Sequence, residues 1–252
     1  MDGGDSSAAT GAPAPSASLT ARGRTAVEVG AAFIGSTAIV AALYHAQSVS
    51  FIRNNLHALV AGLFLLAPHL LLRGRADIER YGFTSRPRLA GVTIAAIAIA
   101  LVLPLFVGGF FVWTRFACAH VPSLVPAACA RTLHPRLRFP PDFGLLAGAQ
   151  LIVVALPEEL FFRGYLQGRL EDAWPARRKF LGAPVGAAWL AAAALFALGH
   201  FLVTFEPQML TRFFPGLVFG WMFARTRSIL AGTIFHATCN LLMEVLGASF
   251  YA

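Results

Sequence analysis

Long apolar runs broken by short, arginine-bearing connections set the pattern of this chain. Seven runs can be read: Ala26–Ala46, Leu56–Leu72, Leu89–Trp113, Phe143–Leu166, Ala183–Phe205, Phe213–Ala224 and Ile229–Gly247. Most reach the roughly 18 to 20 residues that a helix needs to cross a bilayer. The sixth is shorter and reads as a tilted span or as half of a hairpin with the seventh. The pattern therefore predicts an all-α fold, a polytopic membrane helical bundle of about seven transmembrane helices. No internal repeat is visible. The Pro-rich connection from Thr114 to Asp142 is the longest; it separates a variable N-terminal transmembrane region (26–142) from a C-terminal core (143–252). Residues 1–25 are rich in Ser, Ala, Gly and Pro, have no aromatic residue, and are expected to form a disordered tail. They lack the basic start and apolar stretch of a signal peptide, so the first span is expected to stay in place as the insertion signal.

Composition agrees with a bilayer setting. The 252 residues are 57% hydrophobic and only 13% charged, with a mean hydropathy of +0.67, whereas soluble domains are nearer a quarter charged. The net charge of +8 does not point to nucleic acid, because the arginines form no single basic face. They cluster in alternate connections: Arg22 and Arg24; Arg73, Arg75, Arg80, Arg86 and Arg88; Arg169, Arg177, Arg178 and Lys179; Arg225 and Arg227. The positive-inside rule then puts the N-terminus in the cytoplasm of a multi-pass cell-membrane protein. Arg115, Arg131, Arg136 and Arg138 dissent, on a long loop where the rule is weaker. Cys118 and Cys129 share that outer loop and leave a disulfide and two free thiols both open; Cys239 lies in the last span. No cysteine spacing resembles a structural zinc site.

Against this background three short segments stand out: Glu158-Glu159-Leu160-Phe161-Phe162-Arg163, Phe196-Ala197-Leu198-Gly199-His200 and His236-Ala237-Thr238-Cys239-Asn240. Ionisable groups in a span cost several kcal/mol unless they have a partner or a task. Glu159 and Arg163 are four apart on a helix, acid first, and should pair. Glu158 lies about 100° around the helix and lacks that partner, which suits a general base. Phe196 and His200 share a face, as do His236 and Asn240. A carboxylate with a histidine can deprotonate water, and a second histidine with an asparagine amide can donate hydrogen bonds to a tetrahedral oxyanion. The blander reading is a solvated acid pair and two packed histidines. A further alternative is a divalent metal such as zinc held by Glu158, His200 and His236, although the His-Glu-x-x-His signature is absent. The metal-free reading is favoured.

The order EExxxR, FxxxH, HxxxN resembles the CAAX-protease and bacteriocin-processing (CPBP, or Abi-type) family of glutamic-type intramembrane proteases. The flanks agree: Phe162-Arg163-Gly164 after the acids, and Ala224-Arg225-Thr226-Arg227-Ser228-Ile229-Leu230 before the third motif. The likeness runs from about Gly144 to Leu246. It implies an all-helical membrane fold and cleavage near the C-terminus of membrane-associated protein or peptide substrates. Carried over, Glu158 and His200 would activate water, His236 and Asn240 would hold the oxyanion, and Glu159, Arg163 and Phe196 would support them. The family has been described both as metal-dependent and as glutamate-type, which leaves a cofactor open. Substrates could be CAAX-type, or could carry a C-terminal sorting signal as for myxosortase-like members.

Two tensions accompany this reading. The expected boundaries leave Glu158 and His200 roughly 10 Å apart in depth at 1.5 Å per residue, unless the fourth span tilts or continues past Arg163. Glu244 shares a face with Asn240 but is expected near the outer surface. Competing functions are a non-catalytic immunity or partner-binding protein on the same fold, against which the intact motifs argue, and a proton-coupled transporter, against which the missing inverted repeat argues.

Overall fold

The computed structural model describes residues 15–72, 79–84, 88–122, 129 and 137–250. Among them are seven long helices: α1 (Pro15–His45), α2 (Ser50–Leu71), α3 (Arg88–His120), α4 (Phe143–Ala173), α5 (Ala187–Thr204), α6 (Phe213–Thr226) and α7 (Leu230–Phe250). All but α6 are long and apolar enough to cross a membrane. At 14 residues, α6 is the short sixth segment of the sequence pattern, preceded by a 3₁₀ turn at Pro207–Arg212. Helix α1 begins at Pro15, not at Ala26, so the expected tail is helical over residues 15–25; its remainder lies outside the described residues.

Other boundaries also differ from expectation: α2 starts at Ser50 rather than Leu56, and α3 runs to His120 rather than Trp113. Helix α4 continues past Leu166 to Ala173, because Gln167–Asp172 keep helical spacing after hydropathy falls away. Helix α5 starts at Ala187 rather than Ala183, since Arg178–Phe180 (β1) and Ala183–Val185 (β2) pair as an antiparallel hairpin with Arg178 opposite Val185. Cys118, expected in the loop, lies in the last turn of α3 and is disulfide-bonded to Cys129, with Cα atoms 5.4 Å apart.

Helix α4 is the central element and touches α1, α2, α5, α6 and α7. Its core face is aromatic. Phe64 stacks on Phe161 at 4.8 Å, Phe162 meets Phe196 edge-on at 5.1 Å, and Phe219 meets Phe235 at 5.8 Å. In a bilayer, where lipid offers no hydrophobic contrast, such packing is what holds helices together. Large side chains such as Leu101, Leu105, Val112 and Leu145 point outward, as a lipid-facing surface requires.

The C-terminal end of α4 is locked by the connection before α3. Tyr81 is buried against Gly164 and Gly168, where a Cβ would strike its carbonyl and ring. Its hydroxyl donates to Asp172 at 2.6 Å; burial first, and then that hydrogen bond, push the phenol above the ordinary tyrosine value. Arg80 also pairs with Asp172, and Glu28 of α1 accepts from Tyr165 and Arg169. These contacts pin α1 and residues 79–82 to the helix that carries the acid pair.

Candidate active site

Helix α4 is not a uniform α-helix. Gln150–Ala155 and Leu160–Gln167 are wound as π-helix, on either side of the short α-turn Leu156–Glu159. Pro157 gives a local reason: it lacks an N–H and its ring would crowd the carbonyl four residues earlier, and the wider winding before it relieves that clash. The adjoining acids stand midway between Phe143 and Ala173. This removes the depth mismatch expected from the shorter span, and Glu158 and His200 come within ion-pair distance.

Glu158 Oε2 lies 3.7 Å from His236 Nε2 and 3.9 Å from His200 Nε2. The Glu158 side chain is 13% exposed, and its Oε2 accepts no hydrogen bond from a described residue. Both histidines are oriented from behind. His200 Nδ1 is 2.8 Å from the carbonyl of Phe196, one turn back. His236 Nδ1 is 3.1 Å from Glu159 Oε1. A carbonyl and a carboxylate can only accept, so each Nδ1 carries a proton and each Nε2 is the nitrogen that faces Glu158. Spacings of 3.7 and 3.9 Å exceed a hydrogen bond and match a gap bridged by one small donor such as water.

Glu159 faces the other way. Its Oε2 is 3.5 Å from Arg163 Nε, and both side chains are fully buried. Arg163 is covered by rings, its guanidinium carbon 4.5 Å from the centroid of Phe196, 5.4 Å from Phe219 and 6.0 Å from Phe162. None of its three nitrogens has a hydrogen-bond partner among the described residues. One carboxylate and the faces of three aromatics hold the charge. Phe219 also stacks on His236 at 4.6 Å, and Phe196 meets His200 edge-on at 4.6 Å. Gly232 leaves room for Glu159, since a Cβ there would sit 2.7 Å from Oε2.

The fold thus brings together Glu158, Glu159, Arg163, Phe196, His200 and His236. Asn240, one turn beyond His236, donates from Nδ2 to Gln150 Oε1 at 2.9 Å. Glu244 is exposed. Gln150, Phe219 and Gly232 were not singled out from sequence. Gln150 carried a usable signal, being an amide inside an apolar run; Phe219 carried none in a chain of 22 phenylalanines.

Residues 140–242 match the family model described as Rce1-like, type II CAAX prenyl endopeptidase Rce1-like. Over that stretch the chain is similar to this family. The matched stretch contains all three motifs, with helices α4 to α6 and α7 as far as Leu242. No curated protein and no solved structure matches the chain. The chain is a multi-pass membrane protein, and its C-terminal part is similar to the type II CAAX prenyl endopeptidase model. Among the described residues no three or more His, Cys, Asp or Glu side chains form a group that could hold a metal ion. Glu158, His200 and His236 converge, with 3.9 and 3.7 Å between the acid and the two Nε2 atoms.

Proposed function

We propose that this protein is an intramembrane endopeptidase of the cell membrane, its N-terminus in the cytoplasm, which hydrolyses a peptide bond near the C-terminus of membrane-associated substrate proteins. The observation that carries the reading is Glu158 Oε2 facing the Nε2 atoms of both histidines at 3.7 and 3.9 Å in a buried, midspan position.

Glu158 takes a proton from a water molecule, and His200, its tautomer fixed by the Phe196 carbonyl, accepts a hydrogen bond from that water and aims it. The water oxygen attacks the scissile carbonyl carbon, and the carbonyl π pair moves onto oxygen. The second amide N–H of Asn240 is the neutral donor for that oxyanion. His236 enters the cycle protonated on both ring nitrogens, donates its Nε2–H to the oxyanion and keeps that proton throughout, stabilised as imidazolium by Glu159. Collapse of the intermediate breaks the C–N bond, and the leaving amine takes the proton held by Glu158. General-base catalysis of this kind contributes roughly 10²- to 10⁴-fold. CAAX-type proteins and proteins with a C-terminal sorting segment are both in the substrate class, and the chemistry does not require the substrate to be lipidated.

The test compares C-terminal peptides, by mass spectrometry, in membrane and secreted fractions of cells carrying wild-type protein or Glu158→Gln. A protein cleaved only with wild type supports the reading and names a substrate. Equal cleavage removes Glu158 as the base. No cleavage in either, with both inserted, favours a non-catalytic immunity or partner-binding role.

A further inference from the structure

The β1–β2 hairpin plays no part in the site, yet its tip breaks a rule of turn chemistry. Leu181 and Gly182 form the two-residue loop between the strands, and both are left-handed, with φ of +46° and +78°. Loops of that kind favour asparagine, aspartate or glycine, and leucine is sterically strained there. Leu181 is also 72% exposed and the neighbouring Phe180 55% exposed. Neither packing nor turn geometry calls for an aliphatic residue at that position.

The surroundings of the tip are cationic. Arg177, just before β1, and Arg178 and Lys179 on it are all exposed. The Arg225 side chain lies over the turn, its Nε 2.9 Å from where a Cβ on Gly182 would be. None of the four is in an ion pair with a described residue. This contrasts with Arg80, Arg169 and Arg227 at the same end of the bundle, each of which is paired.

Tryptophans mark the level at which the hairpin sits. Trp174 follows α4, Trp189 stands in the first turn of α5, and Trp221 of α6 donates from Nε1 to the Phe180 carbonyl at 2.9 Å. Three of the four tryptophans in the chain therefore gather at this end, and tryptophan concentrates where a membrane meets water.

We propose that the hairpin is an anionic-phospholipid binding site. Phe180 and Leu181 enter the headgroup–acyl boundary of the membrane the protein spans, and Arg177, Arg178, Lys179 and Arg225 engage the lipid phosphates. The strain at Leu181 is a feature of the tip that a lipid surface makes useful. This inference is independent of proteolysis.

Native mass spectrometry of the full chain released from nanodiscs of mixed phosphatidylglycerol and phosphatidylcholine tests it. Wild type is expected to retain phosphatidylglycerol preferentially, and the preference should fall roughly fivefold for each cation removed in R177Q, R177Q/R178Q and R177Q/R178Q/K179Q. Leu181→Asn suits the left-handed position, so its melting temperature should hold or rise while lipid retention drops. No preference in wild type, an undiminished preference in the triple variant, or full retention in Leu181→Asn would each overturn the proposal. Binding of soluble polyglutamate that the triple variant loses, without a lipid preference, would reassign the surface to an acidic protein partner.

Discussion

Glu159 Oε1 lies 3.1 Å from Nδ1 of His236, and the other oxygen of the same carboxylate faces Arg163 at 3.5 Å. The second acid of the pair is thereby engaged with a histidine and an arginine, which leaves the first acid free. Two adjacent glutamates differ in role because successive residues of a helix point about 100° apart.

Glu159→Gln should therefore fail differently from Glu158→Gln. It strands a fully buried guanidinium, a loss of about 3–5 kcal/mol, whereas Glu158→Gln should keep its melting temperature. The double variant Glu159→Gln/Arg163→Met removes both charges and should recover much of that loss. Chemical or thermal unfolding in detergent checks this; a double variant no more stable than the single one would refute the charge argument.

Gly232→Ala adds one methyl group against Glu159. Overpacking of this kind costs about 1–3 kcal/mol, and the displaced carboxylate loses its hold on His236. Turnover should fall more than stability, as a comparison of kcat with Tm would reveal.

Gln150→Leu leaves the Asn240 amide without its acceptor. If Asn240 serves the oxyanion, kcat should drop by about tenfold, near 1.4 kcal/mol, with KM little changed. A rise in KM alone would place the Gln150–Asn240 pair in substrate binding.

Phenanthroline or EDTA should leave the activity of the purified enzyme unchanged under the proposed metal-free mechanism. Inactivation reversed by added zinc would instead give Glu158, His200 and His236 a metal-binding role.

The site was legible in sequence to the extent that its members are polar. Glu158, Glu159, Arg163, His200 and His236 stand out because a bilayer makes such residues expensive, and the Glu159–Arg163 pair follows from helical spacing alone. What hydropathy hides is geometry. The apolar signal ends at Leu166 although the helix runs on to Ala173, so Glu158 read as off-centre. The π winding on either side of Pro157 changes no residue type; the proline within an apolar run was its one visible trace. The second strand of the hairpin, Ala183–Val185, was absorbed into the fifth span because Ala183, Pro184 and Val185 carry no charge to set them off from the helix beyond them. Phe219 touches both His236 and Arg163, but only the packing of α6 distinguishes it from other phenylalanines.

Under the proposed proteolysis, the midspan placement of Glu158 has a consequence for the substrate. Bond cleavage needs a bare carbonyl at the depth where unsatisfied backbone is least tolerated, while a transmembrane helix keeps its carbonyls inside its own ladder. A substrate must therefore fray, or simply end, beside this acid. Conformational fragility, in the form of a glycine, a proline or a helix terminus within an otherwise uniform span, would then select what is cleaved more strongly than any motif of side chains.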